Sequence, residues 1–181
     1  MTALRPLRVA VIGAECTGKT TLCQALAQDA AGIWVPELLR EFVETSGRVP
    51  SAAEQPLLIE EQVRREHKAL AEAARRGATR VLLDSTPLIT ALYSAMYYED
   101  RTLLALASAH QRRYDLTLVT AADLPWEADG LQRDGPAMRD RFHALLTHWL
   151  ASEGIAHALI EGGGAARLTA ARAALDAARR P

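Results

Sequence analysis

The sequence predicts an α/β fold in three layers, with a five-stranded parallel sheet between helices. Three observations carry this reading. Five short apolar runs alternate with helical stretches, the order produced by right-handed crossovers between parallel strands. The runs are nearly continuous in apolar character rather than alternating, as in strands covered on both faces. The first run stops at a glycine-rich turn that opens a helix.

In chain order, Val9-Ala10-Val11-Ile12 forms the first strand and stops at Gly13. Thr20 to Ala31 is helical, with Leu22, Ala25, Leu26 and Ala30 on one face. Ile33-Trp34-Val35 is the second strand, closed by Pro36, and a helix follows from Glu37 to Thr45. Ser46 to Pro50 breaks the chain. Ser51 with Glu54 forms a capping box for a long helix that reaches Arg76, with Ile59, Val63, Leu70 and Ala74 as its apolar face and Gly77 as its end. Val81 to Asp84 is the third strand, with an acid at its carboxyl end. Pro87 starts a helix that buries Leu88, Leu92 and Met96, and a further helix covers about Leu103 to Arg113. Leu116 to Val119 is the fourth strand. An irregular polar segment runs from Thr120 to about Arg139. Phe142, Leu145, Leu146, Trp149 and Leu150 then mark an amphipathic helix. Ala158-Leu159-Ile160 is the fifth strand, and Gly162-Gly163-Gly164 precedes a C-terminal helix.

The length suits one domain, residues 1–181, with a lid at about 121–140. Hydrophobic residues make up 49% of the chain and charged residues 24%, enough for a substantial core. The net charge of −1 argues against a general nucleic-acid or membrane-surface binder. Cys16 and Cys23 are too few for a disulfide framework, and no apolar run suits a signal peptide or a membrane span, so the expected location is the cytoplasm. His67, His110, His143, His148 and His157 share no metal-ligand spacing and read as structural. A homo-oligomer is compatible with the sequence.

Gly13-Ala14-Glu15-Cys16-Thr17-Gly18-Lys19-Thr20 matches G-x-x-x-x-G-K-[ST] in full. Polyphosphate needs several N–H donors converging on it, and glycines let the backbone wrap that closely. The following helix points its positive end at the anion. The pattern therefore predicts a P-loop for Mg-ATP: Lys19 on the β- and γ-phosphates, the Thr20 hydroxyl on Mg²⁺, and Glu15, Cys16, Thr17 and Thr21 as further nucleotide contacts. Cys16 reads as a small residue filling the loop.

In such sheets ligands bind beyond the carboxyl ends of the strands. Two acids stand there. Glu37 is the candidate base or ligand of an acceptor hydroxyl, and Asp84 the candidate acid on Mg²⁺, with the roles open to exchange. Arg40, one turn after Glu37, is a candidate contact to the acceptor. The Asp129 to Pro136 stretch, with Arg133 and Arg139, has the composition of a lid whose arginines would stabilise charge on a transferring phosphoryl group, Arg133 first. Trp126 is a candidate to stack on a ligand ring. Tyr93, Tyr97 and Tyr98 fall on one helix near the acceptor side, with a core role favoured.

Taken together, these segments resemble the ribosylnicotinamide kinase domain of bifunctional NMN adenylyltransferase/ribosylnicotinamide kinase proteins, a P-loop domain of the AAA type. The matching features are the loop at Gly13 to Thr20 with Glu15 inside it, Glu37-x-x-Arg40-Glu41-Phe42-Val43, the strand ending in Asp84 with Ile89-Thr90 after it, Tyr114-Asp115, and Trp126-x-x-Asp129-Gly130-Leu131. The resemblance implies a nucleoside/nucleotide-kinase type of fold and ATP-dependent phosphorylation of the 5′-hydroxyl of nicotinamide riboside, a step of NAD biosynthesis. It covers the kinase half alone: few residues precede the first strand, so adenylyl transfer is not implied.

A kinase for another nucleoside or small acceptor is the nearest alternative. A GTPase switch would need D-x-x-G after the third strand and an N-K-x-D motif, but Asp84 is followed by Ser85-Thr86-Pro87 and the chain contains no asparagine. A regulatory ATPase of the assembly type would need a second helical domain that the sequence does not show.

Overall fold

The computed structural model describes residues 5–29, 31–127 and 135–179. Five parallel strands, β1 (Leu7–Ile12), β2 (Ile33–Val35), β3 (Arg80–Asp84), β4 (Leu116–Thr120) and β5 (Ala158–Ile160), form one sheet in the order β2-β3-β1-β4-β5. β1 is therefore central. Seven helices connect and flank them: α1 (Lys19–Gln28), α2 (Leu38–Ser46), α3 (Gln55–Arg76), α4 (Pro87–Tyr98), α5 (Leu104–Gln111), α6 (Pro136–Ser152) and α7 (Gly164–Ala178).

The alternation of side chains along each strand splits the core into two layers. Val9, Val11, Leu82, Leu118 and Ile160 face α1 and α7, where Leu22, Leu26, Ala171 and Leu175 are buried. Ala10, Ile12, Val35, Val81, Leu83 and Val119 face the other way, onto Ile59, Leu88, Leu92, Leu104, Phe142, Leu146 and Leu150 from α3 to α6. Each fully buried Leu, Ile or Phe contributes about 1.5–3 kcal/mol relative to exposure.

The expected strands and helices all occur, with ends displaced by a few residues. The Ser51–Glu54 box exists: the Glu54 carboxylate accepts the Ser51 backbone N–H at 2.8 Å. It caps a 3₁₀ turn, Ala52–Glu54, from which α3 proceeds. The buried stripe of α3 differs from the expected one. It is Leu58, Ile59, Gln62, Glu66, Ala69 and Ala73, whereas Val63 and Leu70 are half-buried and Ala74 is exposed. The reason is a buried polar cluster that apolar periodicity does not register. Fully buried Glu66 meets His110 Nε2 at 2.8 Å and accepts the Tyr114 hydroxyl at 2.8 Å. Burial and the nearby Glu66 charge push the Tyr114 phenol well up. His110 thus has a structural partner, as its lack of metal spacing implied.

A second polar chain supports the site from behind. The Thr86 hydroxyl donates to Gln111 Oε1 at 2.8 Å, and Gln111 Nε2 donates to Thr117 Oγ1 at 3.0 Å. These buried bonds tie the turn after β3 to α5 and β4. Among the described residues, no helix is long and apolar enough to cross a membrane.

Gln111→Leu leaves the Thr86 and Thr117 hydroxyls buried without that partner, which costs about 1–3 kcal/mol. Urea unfolding should show a midpoint lowered accordingly. A midpoint unchanged from wild type would show that the chain contributes nothing to stability.

Candidate active site

The loop between β1 and α1 is shaped by two close constraints. A Cβ on Gly13 would lie 2.2 Å from Thr120 Oγ1, so only glycine lets the loop root pass the end of β4. Gly18 turns the chain into α1 in the left-handed region, with φ +73°. Between them the Thr17 hydroxyl donates to Ala14 O at 2.7 Å and stands 2.6 Å from Thr120 Oγ1. Lys19 is nearly buried and donates to Ala14 O at 2.8 Å across the loop. Cys16 adopts φ +53°, and its Sγ contacts Glu127 O at 3.2 Å.

β3 pairs with β1 so that Asp84 stands opposite Val11, two residues before Gly13. The next residue, Ser85, takes φ +72° although it is not glycine, and its N–H donates to Val11 O at 3.0 Å. The chain thus turns sharply away and leaves the Asp84 carboxylate at the loop. The Thr20 hydroxyl donates to Asp84 Oδ2 at 2.6 Å. Asp84 Oδ1 is buried and completes no hydrogen bond. A hydroxyl and a carboxylate with an unsatisfied oxygen are hard oxygen donors of the kind Mg²⁺ takes when phosphates and water fill its other positions. Among the described residues there is no group of three or more His, Cys, Asp or Glu able to hold a metal by itself.

Glu37 is the N-terminal flanking residue of α2, just beyond β2. Its carboxyl is raised above the usual range, first by desolvation; Lys19 and Arg40 oppose this, and Asp84 adds to it. Asp84 is raised for the same first reason, while Lys19, the Thr20 hydroxyl and Arg40 oppose it. The Trp34 indole also favours the charged form of Asp84 from close by, although its N–H completes no hydrogen bond. Two acids and two cations therefore share one low-dielectric region.

A cavity of about 650 Å³ joins Lys19, Glu37 and Arg40. One end is the loop, Glu15 to Thr21; the far wall is Glu37, Arg40, Gln55 and the three tyrosines of α4. Tyr93 packs against the core as the favoured reading had it, whereas Tyr97 and Tyr98 depart from that reading. Tyr97 and Tyr98 are 45% and 37% exposed, and both line the cavity. Tyr93 stacks on Phe142 with centroids 4.1 Å apart, while also facing the cavity. The Tyr98 hydroxyl donates to Pro50 O, closing the cavity mouth with the α2–α3 connection. Apolar spacing along α4 could not reveal this, because the helix runs past the edge of the core and its last turn leaves the packed layer.

The lid-side candidates are placed differently. Trp126 Nε1 donates to Glu15 Oε1 at 3.1 Å, so its indole is latched to the phosphate loop and does not line the cavity. Arg139 is buried, donating to Leu124 O at 2.7 Å and to Asp140 Oδ1 at 3.0 Å. It therefore joins the start of α6 to the segment after β4. Arg133, with Asp129, Gly130 and Leu131, lies outside the described residues.

Sequence reasoning missed Arg167, in the first turns of α7. Its Nε donates to Gly162 O at 2.6 Å, and its terminal nitrogens reach Thr17 O, Asp123 Oδ1 and, at 3.4 Å, Ala121 O. In an arginine-rich chain nothing distinguishes this residue from solvated helix arginines.

Residues 8–167 match the AAA domain family. Among solved structures, a NadR protein in complex with NR superposes with a TM-score of 0.78 at 24% identity, covering 96% of this chain and 50% of that one. The present chain thus spans about half the length of NadR. Thymidylate kinase from Ehrlichia chaffeensis has a TM-score of 0.65 at 14% identity, covering 94% and 99% of the two chains. Deoxyadenosine kinase from M. mycoides has a TM-score of 0.60 at 10% identity, covering 94% and 100%. These likenesses establish the P-loop nucleoside/nucleotide-kinase fold. No curated protein sequence matches the chain significantly.

Because the Glu37 carboxyl is raised in the folded state, the folded chain holds that proton more tightly than the unfolded one, and stability falls as pH rises through the raised value. Glu37→Gln should therefore raise the thermal midpoint of the ligand-free protein at neutral pH, with the difference vanishing toward the usual carboxylate range. A variant no more stable than wild type at neutral pH would mean that Lys19 and Arg40 fully offset the desolvation.

Proposed function

On the premise that the chain belongs to the AAA domain family, we propose that it transfers the γ-phosphoryl group of Mg-ATP to the 5′-hydroxyl of a nucleoside, with nicotinamide riboside giving NMN as the leading acceptor. The observation that carries the reading is one cavity that begins at the phosphate loop and ends on Glu37, Arg40 and three tyrosines. Such a cavity holds a small acceptor beside the terminal phosphate while excluding bulk water. The choice of nicotinamide riboside is supported by the NadR structures, one in complex with NR and one with NAD and AMP-PNP. Tyrosine faces and carboxylates suit an acceptor with a cationic ring.

The residue roles follow from charge and position. The backbone amides of the loop and Lys19 bind the donor phosphates and offset charge that spreads over the transferring group. The Thr20–Asp84 hydrogen bond supports Asp84 as the acid on the metal side. Glu37, the other acid of the cavity, is then the group that orients the acceptor hydroxyl and takes its proton; burial has already moved its carboxyl up, toward a value useful to a base. Arg40 neutralises both acids and contacts the acceptor. Thr20 and Asp84 would hold Mg²⁺, which would supply charge neutralisation on the phosphates. The segment at about 121–140 serves as the lid, with Arg133 on the transferring group and Trp126 latching the lid to Glu15. The free thiols Cys16 and Cys23 suit a cytoplasmic setting.

Phosphoryl transfer from Mg-ATP to nicotinamide riboside is followed through ADP and NMN together. The two should rise in step. ADP release that ignores every nucleoside offered would overturn the kinase reading, whereas transfer to a different nucleoside would move the acceptor alone.

Lys19→Ala should lower kcat by about 10²–10³, since a charge stabilising the transition state is lost, with the circular dichroism spectrum unchanged. Retention of wild-type turnover would remove Lys19 from the chemistry.

A further inference from the structure

We infer that Trp34, on the edge strand β2, is a positioning residue for Asp84: its indole N–H is the second tether of that carboxylate, holding Oδ1 while the Thr20 hydroxyl holds Oδ2. The inference rests on the reading of Asp84 as the acid on the metal side.

Strand register brings the two side chains together. β2 lies at the edge of the sheet beside β3, with Trp34 opposite Leu82. Residues two apart on a strand share a face. Asp84 therefore points to the same side as Leu82, toward the layer formed with α1 and α7, and the Trp34 ring packs against that layer too. Asp84 is one diagonal step from Trp34 across the two strands. The indole is near enough to favour the charged form of the carboxylate.

Packing alone does not account for the indole nitrogen. Trp34 Nε1 and Asp84 Oδ1 are both buried, and each is without a hydrogen-bond partner among the described residues. One is a donor only, and the other is an acceptor when the carboxyl is ionised. A buried N–H without an acceptor is costly, and a phenylalanine would fill an apolar strand edge without that cost. The two orphaned groups are thus complementary. A small turn of the carboxylate joins them, because the terminal torsion of an aspartate is broad and soft. That softness is also what a second tether removes. Held by Thr20 alone, the carboxylate can swing about its one bond; with the indole N–H on Oδ1 its plane is fixed. Each carboxylate oxygen has two lone-pair directions, so the group can still face a cation. Hydrogen bonds to a ligating carboxylate orient it, and their loss lowers metal affinity by about 10–100-fold.

The test uses the full chain saturated with ADP, with Mn²⁺ as the probe read by electron paramagnetic resonance. Wild type, Trp34→Phe, Asp84→Asn and the double variant are compared. Phenylalanine keeps an aromatic ring in the layer and removes the N–H. Trp34→Phe should weaken Mn²⁺ binding by about tenfold, leave the affinity for metal-free ADP unchanged, and add nothing in the Asp84→Asn background. An equal loss of metal-free ADP binding would overturn the inference, as would full Mn²⁺ affinity with a lower thermal midpoint, the signature of packing alone. Additive losses in the double variant would overturn it as well. Wild-type Mn²⁺ affinity in Asp84→Asn would fail the metal-side reading of Asp84 and take the inference with it, whereas a loss in Asp84→Asn that Trp34→Phe does not share overturns the inference alone. A second measurement needs no substitution at Trp34. The chain has three tryptophans, and the indole N–H resonance retained by both Trp126→Phe and Trp149→Phe is that of Trp34. In the wild type it should move downfield when Mg²⁺ is added to the ADP complex, and a stationary resonance would overturn the inference.

Discussion

The close passage of Gly13 beneath Thr120 sets the geometry on which the rest of the site depends. A phosphate-binding loop must curl tightly enough for successive N–H groups to converge, and here its root has no room for a side chain. The loop is also fastened from within, through the Thr17 hydroxyl between Ala14 O and Thr120 Oγ1. Because β1 is the central strand, this one turn has β3 on one side and β4 on the other. The register that sets Val11 opposite Asp84 then brings a carboxylate to the loop, and the first turn of α1 brings the Thr20 hydroxyl to meet it.

That convergence has a thermodynamic cost. Glu37 and Asp84 are both raised by desolvation, Asp84 raises Glu37 further, and both are eased by the same two cations, Lys19 and Arg40. The Cys23 thiol beneath them is pushed well up, by burial first and then by the Asp84 charge, so it stays protonated. Charges held this way lower the stability of the ligand-free chain. The surrounding fold offsets the strain with two apolar layers and with buried polar links, Glu66 to His110 and Tyr114, and Thr86 to Gln111 to Thr117. Stability and site chemistry are thus separated: the apolar layers and these links hold the sheet, while its carboxyl ends carry the unfavourable charge.

Two arginines divide the work of fastening the segment after β4. Arg139 joins it to α6 through Leu124 O, and Arg167 ties it to the phosphate loop and to the loop after β5. The Trp126–Glu15 hydrogen bond adds a weaker latch at the rim. It also gives a reason for an acid inside a phosphate loop: Glu15 meets Trp126 and lines the cavity.

The sequence by itself determined the sheet, the order of its strands and helices, and the phosphate loop with its two flanking acids. These are local properties: a continuous apolar run, a helical period, a glycine spacing, and an acid at the end of a strand. Even the Ser51–Glu54 cap was legible, because both partners lie within one turn. Only the tertiary structure decided what long-range contact controls. It turned the α3 stripe onto Glu66 and Gln62, because their partners come from other elements. It carried Tyr97 and Tyr98 past the edge of the core into the cavity wall, fixed Arg139 on Leu124 O, and singled out Arg167 from nineteen arginines. The Thr17 carbonyl it grips is 150 residues away in the chain. Periodicity reports which face of an element is apolar, but a polar side chain's role is set by the acceptors it meets, and those are assembled only when the loops of separate strands come together.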